Sequence, residues 1–310
     1  MSNAGKFSVP DIVRRRALGE GQAGAHWLAT LGDTLASLER DWDITIGAAL
    51  PGGTAAFVAE AVDPTGQVFI VKLPTPASDE GRHEAAVLTA AAGKGYVALV
   101  QHDAVRRALL LERLGPTLEE LALPLRDQID IMCATLLKAW IRMPGGAPYV
   151  TGVDKANSLG MSMQSMNQDL GQPCAQRVLD MALMYCRDRA AAWHPENDVL
   201  AHGDPHPANI LAVPEHEGHF KFIDPDGLAI EPAYDLGVVL RAWHDGIAGR
   251  HAHDIARSHA HHLSTRTQVP AEAIWQWGYI ERVSTGLHLM QLGETDKGRE
   301  FLSVADTLTI

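Results

Sequence analysis

The spacing of apolar residues changes about a third of the way along the chain. Before Gly115 they gather in short runs, such as "AAFVAEAVD" and "QVFIVKLP", which are separated by the turn sequences "PGG" and "DPTG". Short β-branched or alternating runs between turn residues are typical of strands. One Ala-rich stretch, "SDEGRHEAAVLTAAAGKG", is instead typical of a helix that Ser78 caps and that Gly93 or Gly95 ends. The order predicted for this part is three strands, one helix and two further strands.

Helical spacing dominates after residue 114. In "LRDQIDIMCATLLKAW" one face collects the apolar residues Ile129, Met132, Cys133, Leu136, Leu137 and Trp140. "CAQRVLDMALMYCRDRAAAW" repeats this spacing, "SMQSMNQDLGQP" shows no clear period, and "VLAHG", "ILAV" and "FKFID" indicate a small β insertion. The pattern predicts an α+β fold, with a β-rich N-terminal lobe (residues 1–113) and a mainly helical C-terminal lobe (residues 114–310).

Composition narrows the class of protein. A chain of 310 residues with 46% hydrophobic and 21% charged residues suits one large globular domain or two lobes. No apolar run approaches the roughly 20 residues that span a bilayer, so we expect no membrane insertion. The net charge of −12 argues against nucleic acid as a partner and is compatible with a cationic small molecule.

Cysteine and histidine usage argues against a zinc or disulfide framework. Cys133, Cys174 and Cys186 are odd in number and widely spaced, which predicts reduced thiols in a cytoplasmic protein. The N-terminal sequence has no apolar signal core, which also favours the cytoplasm. Six histidines between residues 244 and 262 lack a completing cysteine or carboxylate pattern, so we interpret them as packed or solvated helix residues.

Two neighbouring stretches carry candidate chemistry, "AHGDPHPANIL" at residues 201–211 and "FIDPDGL" at residues 222–228. Asp204, Asn209 and Asp224 supply two carboxylates and one amide oxygen, the hard ligands that Mg²⁺ prefers. A hairpin between the two stretches would return Asp224 to the side of the loop. Phosphoryl transfer needs such a metal site and a carboxylate near the acceptor hydroxyl. Ordinary turn chemistry is the alternative, because Asp and Asn both favour turns.

The same stretches resemble a known family. "HGDPHPANIL" is similar to the catalytic loop of the aminoglycoside phosphotransferases, HGDxHxxN, and "IDPDG" is similar to their metal-binding segment. The resemblance implies a bilobal protein-kinase-like fold that uses ATP and Mg²⁺, with Asp204 as catalytic base and Asn209 and Asp224 as metal ligands. "VPD", "IDPDGL" and "ERVSTGLHLMQLG" further resemble the streptomycin 6-kinase and hydroxyurea phosphotransferase subgroup.

The resemblance extends to the nucleotide site of the N-terminal lobe. Lys72 in "FIVKL" corresponds to the lysine that contacts the α- and β-phosphates, and Glu84 to the glutamate that pairs with it. The segment of Glu112, Arg113 and Leu114 in "LLLERL" resembles the hinge whose backbone faces adenine.

The turn "PGGT" holds a further nucleotide candidate with two interpretations. Gly52, Gly53 and Thr54 lack the full glycine pattern of protein kinases, yet their N–H groups are able to cap phosphates. A plain hairpin turn is the other interpretation, and the sequence does not separate the two.

Acceptor contacts are the least defined part of the prediction. His206 either touches substrate or closes the turn, and Asp226 and Glu231 are either contacts for a cationic acceptor or ordinary loop carboxylates. Asp235, in "EPAYDLGVVLRAW", is expected to support the catalytic loop. The predicted function is phosphorylation of a small-molecule hydroxyl, most directly on a streptomycin-type aminoglycoside. The alternatives are a kinase for hydroxyurea, another antibiotic or a metabolite alcohol, and a non-catalytic nucleotide-binding protein.

Overall fold

The computed structural model describes residues 7–77, 80–142, 149–244, 246–247 and 249–309. The chain forms two compact units, and each is built from more than one stretch of sequence. The first unit comprises Met1–Pro116 with Leu211–Asp224, and the second comprises Thr117–Ile210 with Pro225–Ile310. The residues from Leu211 to Asp224 therefore cluster with the N-terminal part of the chain.

An antiparallel sheet is the centre of the first unit. Its strands are β1 Thr45–Ala49, β2 Ala56–Val62, β3 Val68–Pro74, β4 Leu99–Asp103 and β5 Ala108–Glu112. They lie in the order β1-β2-β3-β5-β4, so β3 is the central strand. These are the five strands that the apolar runs predict. A short hairpin of β9 Ile210–Ala212 and β10 Phe220–Phe222 follows much later in the sequence.

Two helices precede the sheet, whereas the sequence pattern predicted only strands and one helix for this part of the chain. They are α1 Asp11–Gly19 and α2 Gly21–Trp42. Both pack on one sheet face, where their apolar side chains share a core with Phe57, Val71 and Leu73. A Cβ atom at Gly24 would lie 1.7 Å from the Ala17 carbonyl oxygen, so the crossing of the two helices requires a glycine there.

The predicted helix is α3 Glu80–Ala91, which follows β3, and its expected cap, Ser78, lies outside the described residues. Successive side chains of a strand point to opposite faces. Val71 and Leu73 therefore join the core beneath α1 and α2, and Lys72 points to the other face. This alternation places Lys72 on the face of the sheet where it bonds to the buried Glu84 of α3.

Helices form most of the second unit. They are α4 Leu125–Ala139, α5 Gly152–Asp169, α6 Gln176–Ala191, α7 Ala233–Arg241, α8 Ala252–Thr267, α9 Ala271–Gln291 and α10 Thr295–Leu308. A small sheet joins them, with strands β6 Ile141–Arg142, β7 Val150–Thr151, β8 Val199–Ala201 and β11 Leu228–Ile230. The strand order is β6-β8-β11-β7. Part of the aperiodic stretch "SMQSMNQDLGQP" is helical in α5, which begins with a reciprocal cap between Thr151 and Asp154.

The crossing of α7 and α9 is a close helix–helix contact in this unit. A Cβ atom at Gly237 would lie 2.5 Å from Cβ of Trp277, and one at Gly278 would lie 2.8 Å from the Leu240 side chain. Interlocking glycines let the two backbones approach closely, so α7 is held firmly by α9. The position of α7 matters because both of its ends reach the loop after β8.

All three cysteines are free and buried in the second unit. Burial raises the pKa of Cys133 and Cys186 to about 12 and that of Cys174 to about 11. The thiols are therefore protonated and shielded at neutral pH, as the prediction of reduced core thiols requires. Within the described part of the chain, the helices are too short or too polar to cross a membrane.

Candidate functional site

Lys72 is the centre of a buried ionic cluster in the first unit. Its Nζ lies 2.6 Å from Oε2 of Glu84 and 2.8 Å from Oδ1 of Asp224. Lys72 is 6% exposed and Glu84 is 1% exposed. β3 fixes the lysine between its neighbouring strands, because Lys72 pairs with Val58 on β2 and with Leu109 on β5. The structure thus brings together three of the predicted site residues, which we call the Lys72 cluster.

Opposing effects set the charge state of Lys72. Burial disfavours the charged ammonium, but the carboxylates of Asp224 and Glu84 outweigh burial and raise the pKa of Lys72 above its ordinary value. Lys72 is consequently positive at any working pH. Two carboxylates surround one ammonium, so the cluster carries a formal charge of −1, and its half-exposed carboxylate, Asp224, is suited to hold a cation.

Asp224 occupies a backbone conformation that few residues adopt. Its φ is +56°, in the left-handed region that Asp and Asn tolerate better than other non-glycine residues. Pro225 follows directly and disfavours a helical conformation at the preceding residue. The Asp224 side chain is 46% exposed, so its carboxylate is open to solvent although Oδ1 contacts Lys72.

The predicted hinge residues are held by their side chains. Oε1 of Glu112 accepts a hydrogen bond of 2.7 Å from the Ala98 N–H and also contacts Nζ of Lys221. Nε of Arg113 lies 2.7 Å from Oε1 of Glu60, and Leu114 is buried. These contacts fix the end of β5. An adenine contact at this segment would involve its backbone and stays a prediction.

The turn "PGGT" joins β1 to β2. Gly52 has a φ of +100°, a conformation that favours glycine, and a Cβ atom at Gly53 would lie 3.1 Å from the Ala56 carbonyl oxygen. The Leu50 N–H donates to the Val58 carbonyl oxygen at 2.8 Å and closes the hairpin. Gly52, Gly53 and Thr54 therefore form a hairpin loop, and their phosphate contact stays a prediction.

The loop that follows β8 in the second unit is fixed by hydrogen bonds to the buried carboxylate of Asp235. Asp235 accepts hydrogen bonds of 2.9 Å from the backbone N–H groups of His202 and Gly203 and from Nε1 of Trp140. Asp235 and His202 are 0% exposed. The supporting role expected for Asp235 is confirmed, since these bonds fix the residues just before Asp204.

Asp204 is an ionised carboxylate in a charged surrounding. Its Oδ1 accepts a 2.7 Å bond from Arg241, and its Oδ2 lies 3.5 Å from Nε2 of His206. Burial alone would raise the pKa of Asp204, but Arg241 and His206 outweigh it and hold the pKa below its ordinary value. The side chain remains 38% exposed, so a negatively charged acceptor of hydrogen bonds faces outward.

Arg241 is a site residue that the sequence prediction missed. It is the last residue of α7, and besides Asp204 it contacts Oε2 of Glu281 on α9 at 3.1 Å. The Tyr234 hydroxyl donates to the other oxygen of Glu281 at 2.6 Å. Spacing offers only one signal: Arg241 lies six residues after Asp235, and both flank a short helix that touches the same loop.

Asn209 ends a short 3₁₀ turn, Pro207–Asn209, after Asp204. Its Nδ2 donates to the Asp204 carbonyl oxygen at 3.2 Å, which leaves the side-chain oxygen for another partner. A side-chain amide oxygen and a half-exposed carboxylate are donors of the kind that Mg²⁺ takes from a protein. The chemistry of Asn209 and Asp224 therefore fits the predicted ligands, each within its own unit.

The three acceptor candidates differ in their surroundings. His206 is 39% exposed beside Asp204. The Asp226 N–H donates to the His202 carbonyl oxygen at 2.8 Å, and a Cβ atom at Gly203 would lie 2.6 Å from Cβ of Asp226. Asp226 thus packs directly over the glycine that precedes Asp204.

Glu231 is engaged inside the second unit. Its carboxylate lies 3.2 Å from Nη1 of Arg189 and accepts a 2.8 Å bond from Nε1 of Trp277. Both partners sit on long helices, α6 and α9. These bonds neutralise and orient the carboxylate, and an acceptor contact at Glu231 stays a prediction.

The histidine-rich region contains both packed and exposed side chains, with His259 buried and His251 exposed. His259 stacks on Trp243 with ring centroids 3.9 Å apart, and His262 lies 2.7 Å from Oδ1 of Asp130. Across the residues that the structure describes, no group of three or more His, Cys, Asp and Glu side chains is arranged to hold a metal ion.

Comparison with known proteins shows the family of the chain. Residues 41–293 match the aminoglycoside/hydroxyurea antibiotic resistance kinase family. The streptomycin 6-kinase of Streptomyces glaucescens is 27% identical over 252 residues, which cover 81% of this chain and 80% of that protein.

Solved structures share the fold at low sequence identity. An ethanolamine kinase of Plasmodium vivax superposes with a TM-score of 0.57 at 13% identity, covering 94% of this chain and 93% of its own. An aminoglycoside phosphotransferase of Streptomyces rimosus, solved with ADP and streptomycin, gives 0.52 at 15% identity, covering 82% and 98%. The predicted α+β, protein-kinase-like fold is confirmed. Because the family match spans most of the chain, the protein belongs to the aminoglycoside/hydroxyurea antibiotic resistance kinases.

Proposed function

We propose that the protein transfers the γ-phosphate of ATP to a hydroxyl group of an aminoglycoside of the streptomycin type. The observation that carries the proposal is the state of Asp204, whose carboxylate is ionised, 38% exposed and fixed by Arg241. A carboxylate in this state is suited to orient an acceptor hydroxyl and to take its proton. Membership in the kinase family supports the same reaction.

The nucleotide is assigned to the Lys72 cluster. Lys72 would contact the α- and β-phosphates, and Glu84 would hold its ammonium in place through the 2.6 Å bond. Gly52, Gly53 and Thr54 would cover the phosphates, and the backbone of residues 112–114 would face adenine. The relative from Streptomyces rimosus was solved with ADP, which supports nucleotide use.

Mg²⁺ is assigned to Asn209 and Asp224, whose oxygen donors fit a hard cation. Bound there, the ion would neutralise charge that develops on the transferred phosphoryl group. The remaining step belongs to Asp204: as the acceptor oxygen forms its bond to phosphorus and the bond to ADP breaks, the hydroxyl proton passes to the Asp204 carboxylate.

The acceptor is assigned from two kinds of support. The relative from Streptomyces glaucescens is a streptomycin 6-kinase, and this chain carries a net charge of −12, which favours a cationic substrate. His206, Asp226 and Glu231 are the proposed acceptor contacts. Three free, buried cysteines support a cytoplasmic location.

A panel assay tests the proposal. Purified protein is incubated with Mg·ATP and with streptomycin, other aminoglycosides, hydroxyurea or simple amino alcohols, and ADP release is measured. We expect streptomycin to stimulate turnover, and we expect Asp204→Asn to lower kcat by about 10²- to 10⁴-fold while it still binds ATP. Near wild-type turnover of this variant would refute Asp204 as the base.

Hydroxyurea is the second candidate acceptor, because the matched family includes hydroxyurea kinases. It presents a small neutral hydroxyl group, so it makes no demand on Asp226 and Glu231. Turnover with hydroxyurea and none with any aminoglycoside would replace streptomycin as the assigned substrate. ATP binding without stimulation by any acceptor would instead favour a non-catalytic role.

A further inference from the structure

The turn between α1 and α2 lies ahead of the part of the chain that matches the family, which begins at residue 41. Glu20 forms this turn, and its carboxylate reaches across to the segment that follows β3. Oε1 accepts a 2.5 Å bond from the Thr75 hydroxyl, and Oε2 accepts a 2.9 Å bond from the Ala77 N–H. One side chain thus holds two points of a single short segment.

That segment, residues 75–77, leads from the strand of Lys72 toward the helix of Glu84. Thr75 is 0% exposed, and its N–H donates to the Ala55 carbonyl oxygen at 2.8 Å. Nη1 of Arg107 donates to the Pro76 carbonyl oxygen at 2.7 Å. The beginning of the connection is therefore fixed from three sides, by α1 and α2, by the residue before β2 and by the turn before β5.

Glu20 is itself held in place. The close approach at Gly24 and Ala17 locks α1 against α2, and Val13, Leu31 and Leu35 bury both helices in the core beneath the sheet. Because the backbone of Glu20 is held by the two packed helices, its carboxylate loses little conformational freedom on binding residues 75–77. Its two hydrogen bonds therefore restrain that segment.

We propose that Glu20 is a positioning residue for nucleotide binding. It fixes the start of the connection between β3 and α3, and so it keeps Glu84 within bonding distance of Lys72 when the ammonium turns to the phosphates. The proposal rests on the proposed function of the Lys72 cluster. It assigns a role in the kinase reaction to a helical element outside the matched part of the chain.

The test compares Glu20→Ala and Glu20→Gln with a control, Asp33→Asn, which removes an exposed carboxylate from α2. Full-length proteins are assayed for KM of ATP, KM of the acceptor, kcat, binding of a fluorescent ATP analogue and midpoint of thermal unfolding. We expect Glu20→Ala to weaken ATP and analogue binding about tenfold, because part of the energy that the two hydrogen bonds supply to order the segment would then have to come from nucleotide binding. Glu20→Gln keeps one acceptor oxygen, so its loss should be smaller.

A structural role and a positioning role give different results. Unchanged KM of ATP and unchanged analogue binding in Glu20→Ala would overturn the proposal, even if the unfolding midpoint falls. A proportional rise in the KM of the acceptor would also overturn it, because the effect would then not be specific to the nucleotide. The analogue needs no acceptor, so Glu20 is tested even where the wild type phosphorylates nothing in the panel.

A double-mutant cycle with Thr75→Val tests whether Glu20 acts through the segment. Contacting residues couple, so Glu20→Ala should weaken analogue binding less in the Thr75→Val protein than in the wild type. Fully multiplicative losses would show that the two residues act independently and would overturn the proposed route.

Discussion

Arg241 makes the largest favourable contribution to the ionised state of the carboxylate on which the proposed reaction depends. Burial alone would raise the pKa of Asp204, and the guanidinium of Arg241, 2.7 Å away, together with the neighbouring His206 more than offsets that effect. Arg241 also binds Glu281, so the arginine shares its charge between two acids. The pKa of Asp204 therefore depends on Arg241, a residue to which we assign no substrate contact.

Arg241→Gln should move the acidic side of the pH profile. Without the guanidinium the pKa of Asp204 rises, and the carboxylate form is lost as pH falls through that pKa, so activity should decline at a higher pH than in the wild type. kcat/KM measured from about pH 3 to pH 8 checks this, a range that covers ordinary carboxyl pKa values of about 4 and their upward shifts. Glu281→Gln is the control, because it leaves the bond between Arg241 and Asp204 intact. Superimposable acidic limbs would contradict the assigned role of Arg241.

Lys72→Met should cost both nucleotide binding and stability. The variant leaves Glu84 as a buried carboxylate without its lysine, and breaking a buried ion pair in this way typically costs about 3–5 kcal/mol. Adding Glu84→Gln should recover part of the free energy of unfolding but none of the ATP binding. Urea unfolding and binding of the fluorescent ATP analogue separate the two effects. If Lys72→Met alone were as stable as the wild type, the result would argue against a tight ion pair between Lys72 and Glu84.

Elements with strong local patterns could be predicted from the sequence, and those that depend on packing could not. The five strands of the first sheet and α3 follow from their apolar runs. α1 and α2 were missed although Leu31, Leu35 and Leu38 recur at helical spacing, because Gly21, Gly24 and Gly32 lower helix propensity across the same stretch. Gly24 is required by the contact with Ala17, a tertiary reason that no local pattern contains.

The candidate site divides in the same way. Lys72, Glu84 and Asp224 were predicted from motifs and resemblance, and the structure brings the three together. Arg241 lies 37 residues from Asp204 and meets it only because α7 packs on α9.

The apolar face predicted for α4 shows the same limit, because Leu137 continues that face yet is 48% exposed. Spacing identifies a face of a helix, but the neighbours decide which part of it is covered.

Gly237→Ala should show how strongly the site depends on this helix crossing. The new methyl group would collide with Cβ of Trp277, and overpacking of this kind costs about 1–3 kcal/mol. Since α7 carries Asp235 at one end and Arg241 at the other, we expect a lower kcat as well as a lower unfolding midpoint. A matched control is Gly171→Ala, where a Cβ atom meets nothing within 4 Å but φ is +76°, so that it reports backbone strain without a clash. Equal losses of kcat in the two variants would contradict the argument.

In the whole molecule, each of the two compact units is assembled from two separate stretches of the sequence. The chain passes from one unit to the other at residues 116–117, 210–211 and 224–225. The predicted lobe of residues 1–113 leaves out Leu211–Asp224, and with it the Asp224 that contacts Lys72. A fragment made for nucleotide binding studies should therefore not end at residue 113, and full-length protein is the suitable material for each experiment above.

The buried cysteines of the second unit allow the local unfolding of its helices to be measured by thiol labelling. A protonated thiol inside a helical core reacts with an alkylating reagent only after the surrounding helices separate, so the rate of modification measures how often they do. Cys133 on α4 and Cys186 on α6 sample two different helices, and mass spectrometry distinguishes their peptides. We expect both to label slowly in the native protein and rapidly in denaturant. Rapid labelling of one alone, under native conditions, would reveal a helix that detaches independently of the rest.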